Sequence, residues 1–196
     1  MTKDSNPVRR RMAFARLLQG MTAENALLIR DQVKSLRPES AEFKDFHYAW
    51  GAISGAEAVL NGKKTRELDM AVTMAGWASA QPDLAFNWFN ELPEGDRAGL
   101  RSAMISGIAD NDPSAAAHYV YQLAEMGDKE AQGMLGIVAS RVLRAGGPLE
   151  ASLWAENLPD GAMRAAAMDR VAHDYVAVDP QGAAAWAERF AGEAHN

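Results

Sequence analysis

The sequence predicts an all-α fold, arranged as an α/α solenoid of stacked helical hairpins. Three observations predict it. Alanine supplies 38 of the 196 residues, against 19 for valine, isoleucine and threonine together. Alanine is the best helix former, and β-branched residues are the usual material of strands, so this ratio disfavours an all-β fold. Prolines at 82, 113, 148 and 180 lie 31, 35 and 32 residues apart, a period to be tested for internal repeats. Each is followed by one pattern, P-x2-A-x2-[WY]-x3-[LF], carried by Ala85, Trp88 and Leu92, then Ala116, Tyr119 and Leu123, then Ala151, Trp154 and Leu158, then Ala183, Trp186 and Phe190.

The elements follow in chain order. Residues 1–20 form a basic segment and helix, with Lys3, Arg9, Arg10, Arg11 and Arg16 against Asp4 alone. Such a start resembles the n-region of a secretory signal. The apolar run that follows it is broken by Arg16 and is too short for an h-region. Residues 21–81 form degenerate repeats or an N-terminal cap. Ala26, Ile29, Val33 and Leu36 make one helical stripe, ending at Arg37-Pro38. Ser40 caps a helix carrying Phe43, Phe46, Trp50 and Ile53, whose far end Gly51 and Gly55 weaken. Gly62-Lys63-Lys64 reads as a turn, and Thr65 caps a helix carrying Leu68, Val72, Ala75 and Ala78.

Residues 82–178 hold three hairpins. Alanine, aromatic and aliphatic residues three and seven apart share one stripe of a 3.6-residue helix. Proline sits in the first turn, where its missing N–H would have had no partner. Asp112 and Asp179 are good N-caps for the helices behind them; Gln81 and Gly147 are poorer ones. Each first helix ends in a turn: Leu92-Pro93-Glu94-Gly95, Ala124-Glu125-Met126-Gly127-Asp128 and Leu158-Pro159-Asp160-Gly161. A second helix follows, with stripes of Leu100, Met104 and Ile108, of Ala131, Leu135 and Val138, and of Ala167 and Val171. Residues 179–196 make a capping helix and tail. No linker separates these parts, so residues 1–196 are expected to form one domain.

One turn resembles a known family. Ala124-Glu125-Met126-Gly127-Asp128-Lys129-Glu130-Ala131-Gln132 with Leu135-Gly136 is similar to the Sel-type short repeat of the tetratricopeptide superfamily, A-E-x-G-D-x-x-A-Q-x-x-L-G. The resemblance covers about 13 residues. The other units depart from it in carrying L-P-[ED]-G. The paired W-x3-L-P and P-x2-A-x2-W patterns also look like uncharacterised bacterial helical-repeat proteins. What the resemblance implies is a scaffold binding peptides or proteins on a curved surface.

Composition narrows the chemistry. The absence of cysteine removes disulfides, thiolate metal sites and thiol catalysis. A formal charge of −6 disfavours a general nucleic-acid binder, and no apolar run approaches a membrane span. Gly62-Lys63-Lys64-Thr65 lacks the glycine and the hydroxyl spacing of a phosphate loop, and no dinucleotide or zincin motif occurs. Asp110-Asn111-Asp112-Pro113 begins like a calcium loop but reads as a helix cap. No catalytic residue, metal or cofactor is therefore expected. Met70, Met74, Met104, Met134 and Met168 read as gap-filling core.

The candidate site is a surface. Five, eight and nine residues after each proline, positions opposite the apolar stripe read Asn87, Asn90 and Glu91, then His118, Tyr121 and Gln122, then Leu153, Glu156 and Asn157, then Ala185, Glu188 and Arg189. Amide, aromatic and acidic side chains in a row suit an extended peptide. The expected function is non-enzymatic: a scaffold for a protein or peptide partner, without nucleic acid, in an oligomeric state left open. Two alternatives stand. One is an enzyme or regulator with a site between hairpins, around the i,i+4 pair Asp169 and His173; the other is a structural part of a larger assembly. The compartment expected is the cytoplasm, with a mature exported fragment as the open alternative.

Overall fold

The computed structural model describes residues 6–63 and 67–193, and among them every regular element is an α-helix. The chain divides into two compact units, residues up to Gly107 and residues from Ile108 onward. The division falls inside a helix rather than in a loop.

The first unit opens with α1 (Pro7–Gln19), where Asn6 accepts hydrogen bonds from the backbone N–H of Val8 and Arg9. In α2 (Ala23–Val33), Asn25 Oδ1 accepts from the N–H of Thr22 at 2.8 Å and closes the first turn. In α3 (Ala41–Ser54), the Ser40 hydroxyl accepts from Phe43 N–H, the expected cap. Phe14, Ile29, Val33, Phe46 and Trp50 form the apolar centre of these helices, with Leu17 and Leu36 packed against it. Then come α4 (Ala56–Lys63), α5 (Glu67–Ala80), α6 (Pro82–Glu91), the single turn α7 (Glu94–Arg97) and α8 (Arg101–Asn111).

Several expectations need correction here. Gly51 has a packing role that helix propensity does not show. It is buried, and a Cβ there would overlap the carbonyl oxygen of Thr73, so the bare backbone admits α5. Gly76 does the same against Tyr48, and Gly107 against Ala75. Ile53 is exposed, one residue before α3 ends at Ser54, and Gly55, with a φ of 55°, breaks the helix. Gly62 and Lys63 are not a turn; they close α4, and the backbone of Met70 leaves no room for a Cβ at Gly62. Lys64 and Thr65 lie outside the described residues, as does the side chain of Leu68. The buried side of α5 is also wider than the expected stripe. Val72 and Ala75 are half-buried, whereas Asp69, Thr73, Met74 and Trp77 are buried.

The second unit holds the end of α8, α9 (Pro113–Glu125), α10 (Ala131–Glu156), α11 (Ala162–Val178) and α12 (Pro180–Glu193). Gly147 (φ 79°, ψ −176°) breaks α10 into two arms, and Pro148 opens the second. All four repeat prolines thus begin a helix. Asp112 Oδ1 accepts from Ala115 N–H at 2.9 Å, and Asp179 Oδ1 from Gly182 N–H at 3.0 Å. Ala85, Ala116, Ala151 and Ala183 are all buried, as are the expected stripes of α8, α10 and α11. Within this unit α9 packs on α10, α10 on α11 and α11 on α12, in chain order. Asp110, read in sequence as part of a cap, forms an ion pair with Arg141 at 3.0 Å.

Candidate functional site

The second unit carries a groove of ≈ 760 Å³ between α9 and the second arm of α10. Its position follows from the repeat. Both walls are proline-initiated helices whose inner alanines, Ala116 and Ala151, are buried. The residues next to that stripe are left to face each other. From α9 come Ser114, Ala117, His118, Tyr121 and Glu125. From the second arm come Glu150, Leu153, Trp154 and Asn157. Val142 of the first arm closes the floor, and Pro159 lies beyond the end of the second.

The walls are fixed by their own hydrogen bonds. Gln122 Nε2 lies 2.9 Å from His118 Nε2. With the ring proton on Nδ1, the Gln122 amide donates to His118 Nε2. The Tyr121 hydroxyl donates to the carbonyl of Pro159 at 3.4 Å, so Tyr121 bridges the far ends of both walls. Burial holds the Tyr121 phenol above its ordinary range, and the Arg164 cation offsets part of that. Apolar surface on the floor with a few polar groups at the rim is the usual make-up of a ligand groove, and the volume lies within the usual range of about 300–1,000 Å³.

The structure distributes the eight sequence-named positions unevenly. His118, Tyr121 and Asn157 line this groove, and Gln122 orients His118. Glu156 faces elsewhere: its carboxylate accepts from Trp186 Nε1 at 2.6 Å and pairs with Arg189 at 3.0 Å. Asn87, Asn90 and Glu91 belong to α6 in the first unit; Asn87 and Glu91 are exposed and Asn90 is half-buried. Trp154, like the half-buried Trp88, differs from the core role its repeat position suggests. It is half-buried, its ring forms groove wall, and its shielded Nε1–H has no hydrogen-bond partner among the described residues. Sequence reasoning missed Ser114, Ala117, Val142 and Glu150, since their faces depend on which helix becomes the neighbour.

Other chemical candidates are closed or dispersed. His47 is buried between Phe43 and Phe46; its Nδ1–H donates to Phe43 O at 2.9 Å. Its Nε2 faces buried Asp69 at 3.9 Å, and Arg30 lies 3.7 Å from the same carboxylate. This is a polar knot inside the first unit, sealed from substrate. Asp169 and His173 are both exposed on α11. The i,i+4 pair that forms there is Arg170 with Asp174, at 2.9 Å, tied to Ser140 of α10. Among the described residues no group of three or more His, Asp or Glu is placed to hold a metal ion, and no helix is long and apolar enough to cross a membrane.

Comparisons of the chain with protein-family models, curated proteins and solved structures returned no match.

Proposed function

We propose that this chain is a non-enzymatic helical-repeat scaffold, and that its second unit takes a protein or peptide segment into the groove between α9 and the second arm of α10. The observation that carries the reading is the groove itself. It is open, apolar-floored, and walled by the proline-initiated helices of two successive repeat units. The resemblance of residues 124–136 to a Sel-type repeat supports the same reading, and so does the chain-order packing of α9 through α12, which is how a solenoid of hairpins begins. The step from architecture to binding is an analogy, so the test is of the site.

The experiment is a peptide-display selection on the intact chain, repeated on a blocked variant carrying Ser114→Tyr and Leu153→Trp. Both positions are exposed, so the variant keeps its fold while its groove is filled. Selected peptides are expected to bind the wild type and to lose at least tenfold in affinity on the blocked variant. Peptides that bind both equally, or a selection that enriches nothing, would overturn the reading. A cleaved or modified peptide would point instead to an enzyme, and a concentration-dependent oligomer occupying the groove to a self-assembling part.

A further inference from the structure

We infer that the segment this groove takes is extended and carries a basic side chain at each end of an apolar centre. The inference rests on the groove reading above and specifies its occupant.

The first observation is charge. Of the side chains lining the groove, the charged ones are Glu125 and Glu150, and no lysine or arginine lines it. The unit as a whole, from residue 108 on, has thirteen acidic and six basic side chains. Other acids on the second arm and its turn are already neutralised: Glu156 by Arg189 and the Trp186 N–H, Asp160 by Arg164. Glu125 and Glu150 join no ion pair among the described residues. Gly146 gives the Glu150 carboxylate its place, since a Cβ at that glycine would collide with it.

The second observation is spacing. Glu150 stands at the start of the second arm, two residues after Pro148, and Glu125 is the last residue of α9, twelve after Pro113. The bond from Tyr121 to Pro159 ties the late part of α9 to the end of the arm, and Ser114 and Glu150, near the two starts, line the same groove, so the two walls run in the same direction. With the two prolines taken as level, ten residues of helix separate the two registers, or about 15 Å at 1.5 Å per residue. An extended chain covers that distance in about five steps of 3.3 Å. A basic residue at i and another at i+5 therefore reach both carboxylates. The side chains between them lie over Ala117, Val142, Leu153 and the Trp154 ring, a mostly apolar surface that suits apolar groups. A helical occupant would need its cations about ten residues apart, spread over nearly three turns.

The test uses the full chain and end-blocked, fluorescein-labelled hexapeptides read by anisotropy. One has arginine at both ends of Gly-Leu-Phe-Gly; others replace both arginines by glutamine or by glutamate; a shorter one keeps the arginines but only two residues between them. The six-residue arginine peptide is expected to bind about tenfold tighter than its glutamine version, the sum of two partly exposed charge pairs. That advantage is expected to vanish in the Glu125→Gln/Glu150→Gln variant and to shrink as salt rises from about 0.05 to about 0.5 M. In Glu125→Lys/Glu150→Lys the preference moves to the glutamate-ended peptide. Equal binding of the arginine and glutamine peptides would overturn the inference and leave the groove as a site for another occupant. Equal binding of the long and short arginine peptides would overturn its extended geometry. If no hexapeptide binds and display selection also enriches nothing that the blocked variant rejects, the groove reading falls with it.

Discussion

A methyl group at Gly51 would overlap the carbonyl oxygen of Thr73, and one at Gly76 would overlap that of Tyr48. The two glycines are reciprocal, one on each of the helices α3 and α5, so neither helix can move away to accommodate a side chain without losing the other contact. Gly76→Ala is therefore expected to destabilise the chain by about 3 kcal/mol, the upper range for overpacking. Gly133→Ala is the control: that glycine lies in α10, is exposed, and has nothing near its missing Cβ. Removing its backbone freedom is expected to stabilise by about 0.5–1 kcal/mol. Urea denaturation of both variants checks the pair, and equal effects would refute the close-approach account. These glycines were illegible in the sequence because helix propensity treats every mid-helix glycine alike, whereas close approach belongs to two helices at once. Tryptophans show the same limit. Trp88, Trp154 and Trp186 hold one repeat position, yet Trp186 is 5% exposed and donates to Glu156 while Trp154 lines a groove with an unpartnered N–H. Trp186→Phe is expected to lose about 1.5–3 kcal/mol with its charge-assisted bond, and Trp154→Phe to be neutral or stabilising, since it removes a shielded donor that bonds to nothing. Denaturation midpoints that fall equally in both would show that the repeat position, not its surroundings, sets the role.

At the scale of the element, the repeat was legible because its signals are local and coincide. Proline in the first turn, an apolar stripe after it and, in two of the four, a capping aspartate before it all concern one helix. All four helices start at the residue that the spacing marks. The turns were less legible. Leu92-Pro93-Glu94-Gly95 and Leu158-Pro159-Asp160-Gly161 are near copies, but Glu94 to Arg97 wind into a helical turn, with Glu94 accepting from both Arg97 and Arg101. The second copy has only Arg164 to pair with Asp160, and stays a turn. Caps give this scale its prediction. Gln81 precedes Pro82 with no side-chain cap bond, whereas Asp112 and Asp179 cap the helices that follow them. Gln81→Asp should add about 1 kcal/mol and Asp179→Ala remove about as much. Thermal melts of the two variants should shift in opposite directions. A Gln81→Asp melt that does not rise would mean the backbone at residue 81, at φ −142° and ψ 69°, is not one from which a carboxylate reaches the first turn.

For the whole molecule, the charge asymmetry visible in the sequence acquires a location. The balance of −6 looks like a general solubility feature, but residues up to 107 carry fourteen basic and thirteen acidic side chains, and the excess acid lies beyond them. The candidate groove lies in that acidic unit, and its wall was half legible: the repeat register names His118, Tyr121 and Asn157, while Glu156 is lost to partners about thirty residues further on. The position of the division at Gly107 was not legible, because no linker marks it and a helix runs through it. That division makes a claim about folding. The second unit has its own buried centre, with Val120, Leu123, Leu135, Val138, Val171 and Trp186 among its side chains. A fragment of residues 101–196 begins at the start of α8, cuts no described helix, and at about a hundred residues is long enough to bury a core. It should show the far-UV circular dichroism of a helical protein and a single cooperative urea transition. Because both groove walls and their supporting bonds lie within it, it should also bind the display-selected peptides within about threefold of the intact chain, well under the tenfold step of 1.4 kcal/mol. A fragment that is helical but melts without cooperativity would place the core's missing contacts before residue 101. A cooperative fragment with lost binding would place part of the peptide site there instead, and the groove between α9 and α10 would then be only one end of it.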